Sequence, residues 1–183
     1  IDNLIIDTDS DKIIKIIKNL FNNRKIIFYK RPKHLHGGSI STNLLLKNII
    51  KDLNLKSKIY LQTHVTNPLV KKETFIEALN FFIKNYNHYD SLFSVKKHQT
   101  RFYYKNGEDM NHNRFNLVPT QDLEEIYEEN SCIYIFKKET LDIYNSRIGK
   151  NPYLFIMNDI ESQDIDWEDD FLICEILQKN LFH

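Results

Sequence analysis

Through the first half of the chain, short runs of β-branched and aromatic side chains alternate with stretches whose apolar residues recur at helical spacing. No other feature limits the fold as strongly. Residues 4–7 form an apolar run ending in an acidic turn, and Ile13, Ile14, Ile16, Ile17, Leu20 and Phe21 then follow a helical period. Residues 25–29 read as a second strand, and residues 44–53 as a helix introduced by Ser41 and Thr42. A strand at 59–62, a helix at 73–82 and a strand at 91–95 follow. Strands separated by helices predict an α/β fold, a mostly parallel sheet with helices on both faces. Ligands of such sheets sit beyond the carboxyl ends of the strands, which directs attention to residues 7–11, 31–42 and 62–68.

After Val95 the rhythm breaks. Residues 101–105 and 114–118 read as two extended stretches around Asn106-Gly107, a turn signal, and so as a small two-stranded excursion. Strands at 131–136 and 153–157 and an amphipathic helix at 168–181 restore the pattern. With no internal repeat and no shift of composition, the 183 residues read as a single domain, residues 1–183. The 25 basic residues balance 25 acidic ones, which leaves no net field to hold a nucleic-acid polymer. No apolar run reaches the ~18 residues of a membrane span. Asp2, Asp7, Asp9 and Asp11 interrupt what would otherwise be the core of a signal peptide. Cys132 and Cys174 have no metal-ligand spacing and fit buried thiols in a reducing compartment, so a cytoplasmic setting is expected.

The segment Ser162-Gln163-Asp164-Ile165-Asp166-Trp167 precedes the last helix. Residues two apart in an extended segment point the same way, so Asp164 and Asp166 can present two carboxylates to one hard cation such as magnesium. The same residues also read as an N-cap, with Asp166 capping and Glu168, Asp169 and Asp170 complementing the helix dipole. Arg31 can offer a planar donor fork to phosphate or base oxygens, and Ser41 and Thr42 small hydroxyls at a helix start. A surface arginine and an ordinary cap satisfy the same residues. His34 and His36 have no third ligand at zinc spacing and read as loop histidines.

Taken together, these segments resemble the acylneuraminate cytidylyltransferases. Residues 161–171, Glu-Ser-Gln-Asp-Ile-Asp-Trp-Glu-Asp-Asp-Phe, are similar to that family's metal-binding signature. Residues 61–70, Leu-Gln-Thr-His-Val-Thr-Asn-Pro-Leu-Val, resemble its Leu-Gln-Pro-Thr-Ser-Pro-Leu-Arg. Lys30-Arg31-Pro32 with Ser39-Ile40-Ser41-Thr42 resembles its cytidine-reading segment. His98-Gln99-Thr100-Arg101-Phe102-Tyr103, Pro119-Thr120-Gln121-Asp122-Leu123 and residues 127–136 continue the resemblance in order, and Arg147-Ile148-Gly149 has a family look with no chemistry assigned to it.

The resemblance implies a nucleotidyltransferase that joins CMP from CTP to an acylneuraminate-type nonulosonic acid and releases pyrophosphate. A Kdo-type acid sugar, or loss of turnover, are the alternatives. It implies Mg2+ on Asp164 and Asp166 as the catalytic pair, and Arg31, Ser41 and Thr42 on the nucleotide. Gln62, Asn130 and Tyr134 would line the sugar pocket. It further implies a homodimer built by an arm at about residues 98–130, with Arg101, assisted by Gln121, reaching the sugar carboxylate in the neighbour's site. Relatives open with a strand and an Ala-Arg-x-Gly-Ser-Lys loop that cradles the triphosphate. The 183 residues contain no such segment and open on Ile1, so more sequence upstream is expected.

Overall fold

Among the described residues, 3–21 and 26–181, the computed structural model contains six strands and five α-helices. Strand β1 (Leu4–Thr8) pairs in parallel with β2 (Ile26–Lys30), and helix α1 (Asp11–Leu20) joins them. Ser10 ends the β1 turn and starts α1, because its side chain accepts a hydrogen bond from the amide of Ile13 at 3.3 Å. Lys25, where the sequence pattern begins the second strand, lies outside the described residues.

The larger sheet holds β3 (Ile59–Gln62), β4 (Ser91–His98), β5 (Ile126–Lys137) and β6 (Pro152–Met157) in the order β3-β5-β4-β6. Strand β4 lies parallel to β6, whereas β5 is antiparallel to both of its neighbours. Strands β3, β4 and β6 therefore run in one direction, as the alternation predicts, and the expectation of a mostly parallel sheet is corrected at β5 to a mixed one. The cause is legible in the connection. Residues 99–125 carry no α-helix to cross the sheet, so the chain returns beside β4 in reverse.

Helices cover both faces of this sheet. Ala78 and Phe82 of α3 (Lys72–Lys84) pack on Ile133 and Ile135 of β5 with Leu92 and Phe155. On the opposite face Phe136 packs against Ile50 of α2 (Thr42–Asp52) and Leu141 of α4 (Lys138–Tyr144). Buried from both sides, residues 132–136 read as an unbroken apolar run rather than an alternating one. Helix α4 has too few turns to show a period in the sequence. Helix α5 (Glu168–Leu181) starts where the pattern places it, but only its Cys174 is buried, and Phe171, Leu172, Ile173 and Ile176 stay exposed. Among the described residues, no helix is long and apolar enough to cross a membrane.

In the excursion the Asn106-Gly107 turn forms. Gly107 takes φ +83°, a conformation glycine adopts without strain, and its amide donates to Tyr104 O at 2.8 Å. The expected two-stranded pairing shrinks to one antiparallel bridge between Tyr103 and Asp109. Residues 114–118 do not form a strand. The Asp109 carboxylate takes the backbone amide of Arg114 at 2.9 Å and its Nε at 2.8 Å, which bends the segment back on the turn.

Candidate active site

Strand β5 carries a large bulge that shapes the site. Phe93 of β4 faces Tyr134 while Val95 faces Glu129, so residues 130–133 oppose Ser94 alone. Such a bulge re-aims the side chains beside it. Ser131 adopts φ +59° within it. The Ser94 hydroxyl closes the gap, donating to Asn130 Oδ1 at 2.6 Å and accepting from Ile133 N at 2.8 Å. The Asn130 amide nitrogen donates to Ser162 Oγ at 2.9 Å, so this buried side chain ties β5 to the loop after β6. With Ser94 and Ser162 on its two ends, Asn130 acts here as a strut.

The bulge places the Tyr134 hydroxyl on the carboxylate of Glu129, to which it donates, and burial together with that bond pushes the phenol up to about 12. Tyr134 is the antiparallel partner of Gln62, the last residue of β3, so two of the three residues implied for the sugar pocket are neighbours by strand register.

Between them lies a residue that sequence reasoning left without a role. The guanidinium of Arg147 sits 3.4 Å from the centre of the Tyr134 ring, and its Nη1 donates to Gln62 Oε1. The same nitrogen lies 3.4 Å from His64 Nε2. The nearest Glu129 oxygen stands 4.0 Å from Nη2, beyond hydrogen-bond reach, and the Arg147 side chain is only 13% exposed. Burial lowers the Arg147 pKa, against the pull of Tyr134 and Glu129. Burial and the Arg147 charge likewise lower His64, although Asp164 and Glu129 draw it back up.

Backbone contacts fix the loop that presents Arg147. Its amide donates to Asn43 Oδ1 of α2 at 3.0 Å, and Asp90 takes the amides of Lys150 and Asn151 at 2.7 and 2.9 Å. A Cβ on Gly149 would lie 2.4 Å from that Asp90 carboxylate, so only glycine lets the loop close. The signal in the sequence was the Arg-x-Gly triplet itself. Without the fold, nothing connects it to Tyr134.

The loop after β6 brings Asp164 to the same end of the sheet. The amide of Ile165 donates to Thr66 O at 2.9 Å, fastening the segment to the β3–α3 connection. Asp164 is partly buried and Asp166 exposed. Asp170 reaches back to accept from the amides of Asp166 and Trp167 at 3.1 and 2.9 Å, so the start of α5 is capped by Asp170 and the Asp166 carboxylate is not needed for it. Two hard oxygen donors of this kind suit magnesium, which keeps waters and binds substrate phosphates. Among the described residues, no group of three or more His, Cys, Asp or Glu side chains could by itself hold a metal. Cys132 is buried and pushed up to about 12 by burial, and Cys174 is raised for the same reason, so both thiols stay protonated near neutral pH.

Of the residues read as nucleotide contacts, Arg31 pairs with Asp7, and Ser41 and Thr42 open α2. Arg31 spends Nε and Nη2 on the Asp7 carboxylate, at 3.1 and 2.8 Å, and that bond raises its pKa. Ser41 N-caps α2 by accepting from Leu44 N at 3.3 Å, and Thr42 is the first helical residue. Arg101 and Gln121 lie elsewhere. Arg101 donates to Val118 O at 2.7 Å and Gln121 O accepts from Gln99 at 2.7 Å, contacts within the excursion rather than with Gln62 or Tyr134.

A family profile described as cytidylyltransferase matches residues 1–180. The chain is 29% identical to the post-translational flagellin modification protein B of Campylobacter coli, over 97% of its own length and 78% of that protein's. A shorter stretch, 34% of the chain and 26% of the relative, is 42% identical to the CMP-N,N'-diacetyllegionaminic acid synthase of Campylobacter jejuni. In fold, the chain is similar to 4-diphosphocytidyl-2C-methyl-D-erythritol synthase from Anaerococcus prevotii, with TM-score 0.64 at 13% identity over 98% of this chain and 83% of that one. It is similar also to a CMP:2-keto-3-deoxy-manno-octonic acid synthetase solved with CTP, with TM-score 0.61 at 9% identity over 98% and 81%. These solved structures share the α/β arrangement of a nucleotidyltransferase, and with the profile spanning almost every residue, the chain belongs to the cytidylyltransferase family.

Proposed function

We propose that this cytidylyltransferase transfers CMP from CTP to a nonulosonic acid sugar and releases pyrophosphate. The observation that carries the reading is the convergence of Gln62, Tyr134 and Arg147 at the end of β3, with Asp164 close enough to influence His64. Such a cluster, polar and partly buried with one cation, suits a hydroxylated acid better than an apolar substrate. The names of the two CMP-sugar synthases to which the chain is similar support the class of acceptor. Sequence identity is higher to the legionaminic acid enzyme, whereas the octonic acid enzyme shares the fold alone, which favours a nonulosonic acid over a Kdo-type one.

In this reaction a sugar hydroxyl attacks the α-phosphorus of CTP, its oxygen bonds to phosphorus, the α–β bridge breaks with pyrophosphate leaving, and the hydroxyl proton passes to water. Asp164 and Asp166 would hold Mg2+, whose positive charge offsets that of the phosphates. Gln62 would orient the sugar, with the wholly buried Tyr134 acting through Arg147, and Ser41 and Thr42 offer hydroxyls at the N-terminus of α2 for the nucleotide. Arg31 can join them through Nη1, the nitrogen its bonds to Asp7 leave over. The reading includes a homodimer in which the arm brings Arg101 to the neighbouring site. Its support is the exposure of Phe115 at 92% and Leu117 at 63%, apolar side chains that a second copy would cover.

The test is product formation by the full-length protein from CTP, Mg2+ and each of N,N'-diacetyllegionaminic acid, N-acetylneuraminate and 2-keto-3-deoxy-manno-octonic acid. A CMP-linked product with one of the first two is expected. Turnover with none of the three overturns the reading.

A further inference from the structure

We infer that Arg147 is the group that receives the carboxylate of the acid sugar from within the same chain, an assignment that rests on the acceptor class proposed above. A guanidinium held largely out of water needs an anion or enough acceptors to offset its lost hydration. Arg147 has these only in part: Glu129 is at ion-pair distance without a hydrogen bond, and the Tyr134 side chain draws on the cation. Its Nη1 is occupied by Gln62 and lies near His64, while Nη2 looks toward Glu129 across 4.0 Å. Glu129 cannot close that gap freely, because the same oxygen already accepts the Tyr134 hydroxyl.

The cation is nonetheless rigidly placed. Tyr134 supports its face at 3.4 Å, Asn43 anchors its backbone, and the Asp90 carboxylate fixes the loop through the amides of Lys150 and Asn151. A planar fork so fixed, beside the glutamine and tyrosine of the sugar pocket, matches a carboxylate, which it can bind through two oxygens. The site would thereby select acid sugars over neutral ones.

The experiment compares wild type with Arg147→Met and Arg147→Gln, and with Arg101→Met as the trans alternative. In the full-length protein it measures KM for N,N'-diacetyllegionaminic acid and for CTP. It also measures, by calorimetry, binding of that acid against its methyl ester. Loss of the fork is expected to raise KM for the acid by about tenfold or more, leave KM for CTP within about twofold, and erase the preference for acid over ester. Should Arg147→Met fail to fold, Arg147→Gln, which keeps a polar bond to Gln62, carries the same expectation. An unchanged acid-to-ester preference in a folded Arg147 variant, with that preference lost in Arg101→Met, would assign the carboxylate to the arm and overturn this inference alone. A wild-type protein that neither binds nor converts any acid sugar overturns the proposed function, and this inference with it.

Discussion

At Asp166 a helix cap and a metal ligand are chemically interchangeable, and the neighbouring Asp170 separates the two roles. Because Asp170 accepts the amides of Asp166 and Trp167, replacing Asp164 and Asp166 together by Asn leaves the start of α5 its cap. Thermal unfolding should then shift by only about the few tenths of a kcal/mol expected of an intact cap. Turnover should fall by about a hundredfold or more, since neutral amides hold a hard dication poorly. Equal turnover in the double variant would remove the pair from the chemistry. Gln62, Tyr134 and Asp164 were legible in the sequence as members of spaced segments. Arg147 was not, because its meaning depends on a ring and an amide far away in the chain that only the closed sheet brings beside it.

Among the elements, α3 depends on a residue outside itself. Its N-cap, Lys71, has no side-chain acceptor of its own for the first turn. The buried carboxylate of Glu161 takes that place, accepting from Lys71 N at 2.9 Å and Thr74 Oγ1 at 2.5 Å, with Asn158 Nδ2 at 2.9 Å. Burial alone would raise the Glu161 pKa, but these donors outweigh it and hold it below the ordinary value. A depressed carboxyl stabilises the fold above its unfolded pKa, about 4.3, and that contribution is lost as pH falls through the folded value. Glu161→Gln should therefore cost about 1–3 kcal/mol in urea unfolding at neutral pH and progressively less in acid. A pH-independent difference would contradict this. The Arg147 loop admits a second test of the same kind. Asp90 is pinned by the hydroxyl of Ser91 and the amides of Lys150 and Asn151, so it cannot step aside for a Cβ 2.4 Å away. Gly149→Ala should destabilise by about 1–3 kcal/mol and raise KM for the acid sugar as well. A variant with wild-type melting and kinetics would show the loop to be looser than its contacts imply.

For the whole molecule, the excursion sets the question of assembly. Tyr103 and Tyr104 are about half exposed and Phe115 almost wholly so, an apolar surface that a second copy would bury. Sedimentation of the wild type should show a dimer, and Phe115→Glu with Leu117→Glu should yield a monomer of unchanged secondary structure. A wild-type monomer at tens of micromolar, roughly the range in which specific dimers persist, rules the arrangement out. The parallel pairing of β1 with β2 and the common direction of β3, β4 and β6 followed from the alternation of patterns, but the division into a two-stranded and a four-stranded sheet did not. Nor did the position of β5, since a strand's neighbour is chosen by the whole sheet and its apolar run says only that it is central. That position has a consequence in time. Strand β3 has no partner in the larger sheet until β5 is present, and β4 pairs only with strands that follow it in the chain. During synthesis, β4 must wait, unpaired, for residue 126 and β3 for residues 134–137. The nascent chain therefore exposes first one and then two sticky strands while the intervening residues are made, and its yield in the cell should depend on chaperones that hold such strands apart.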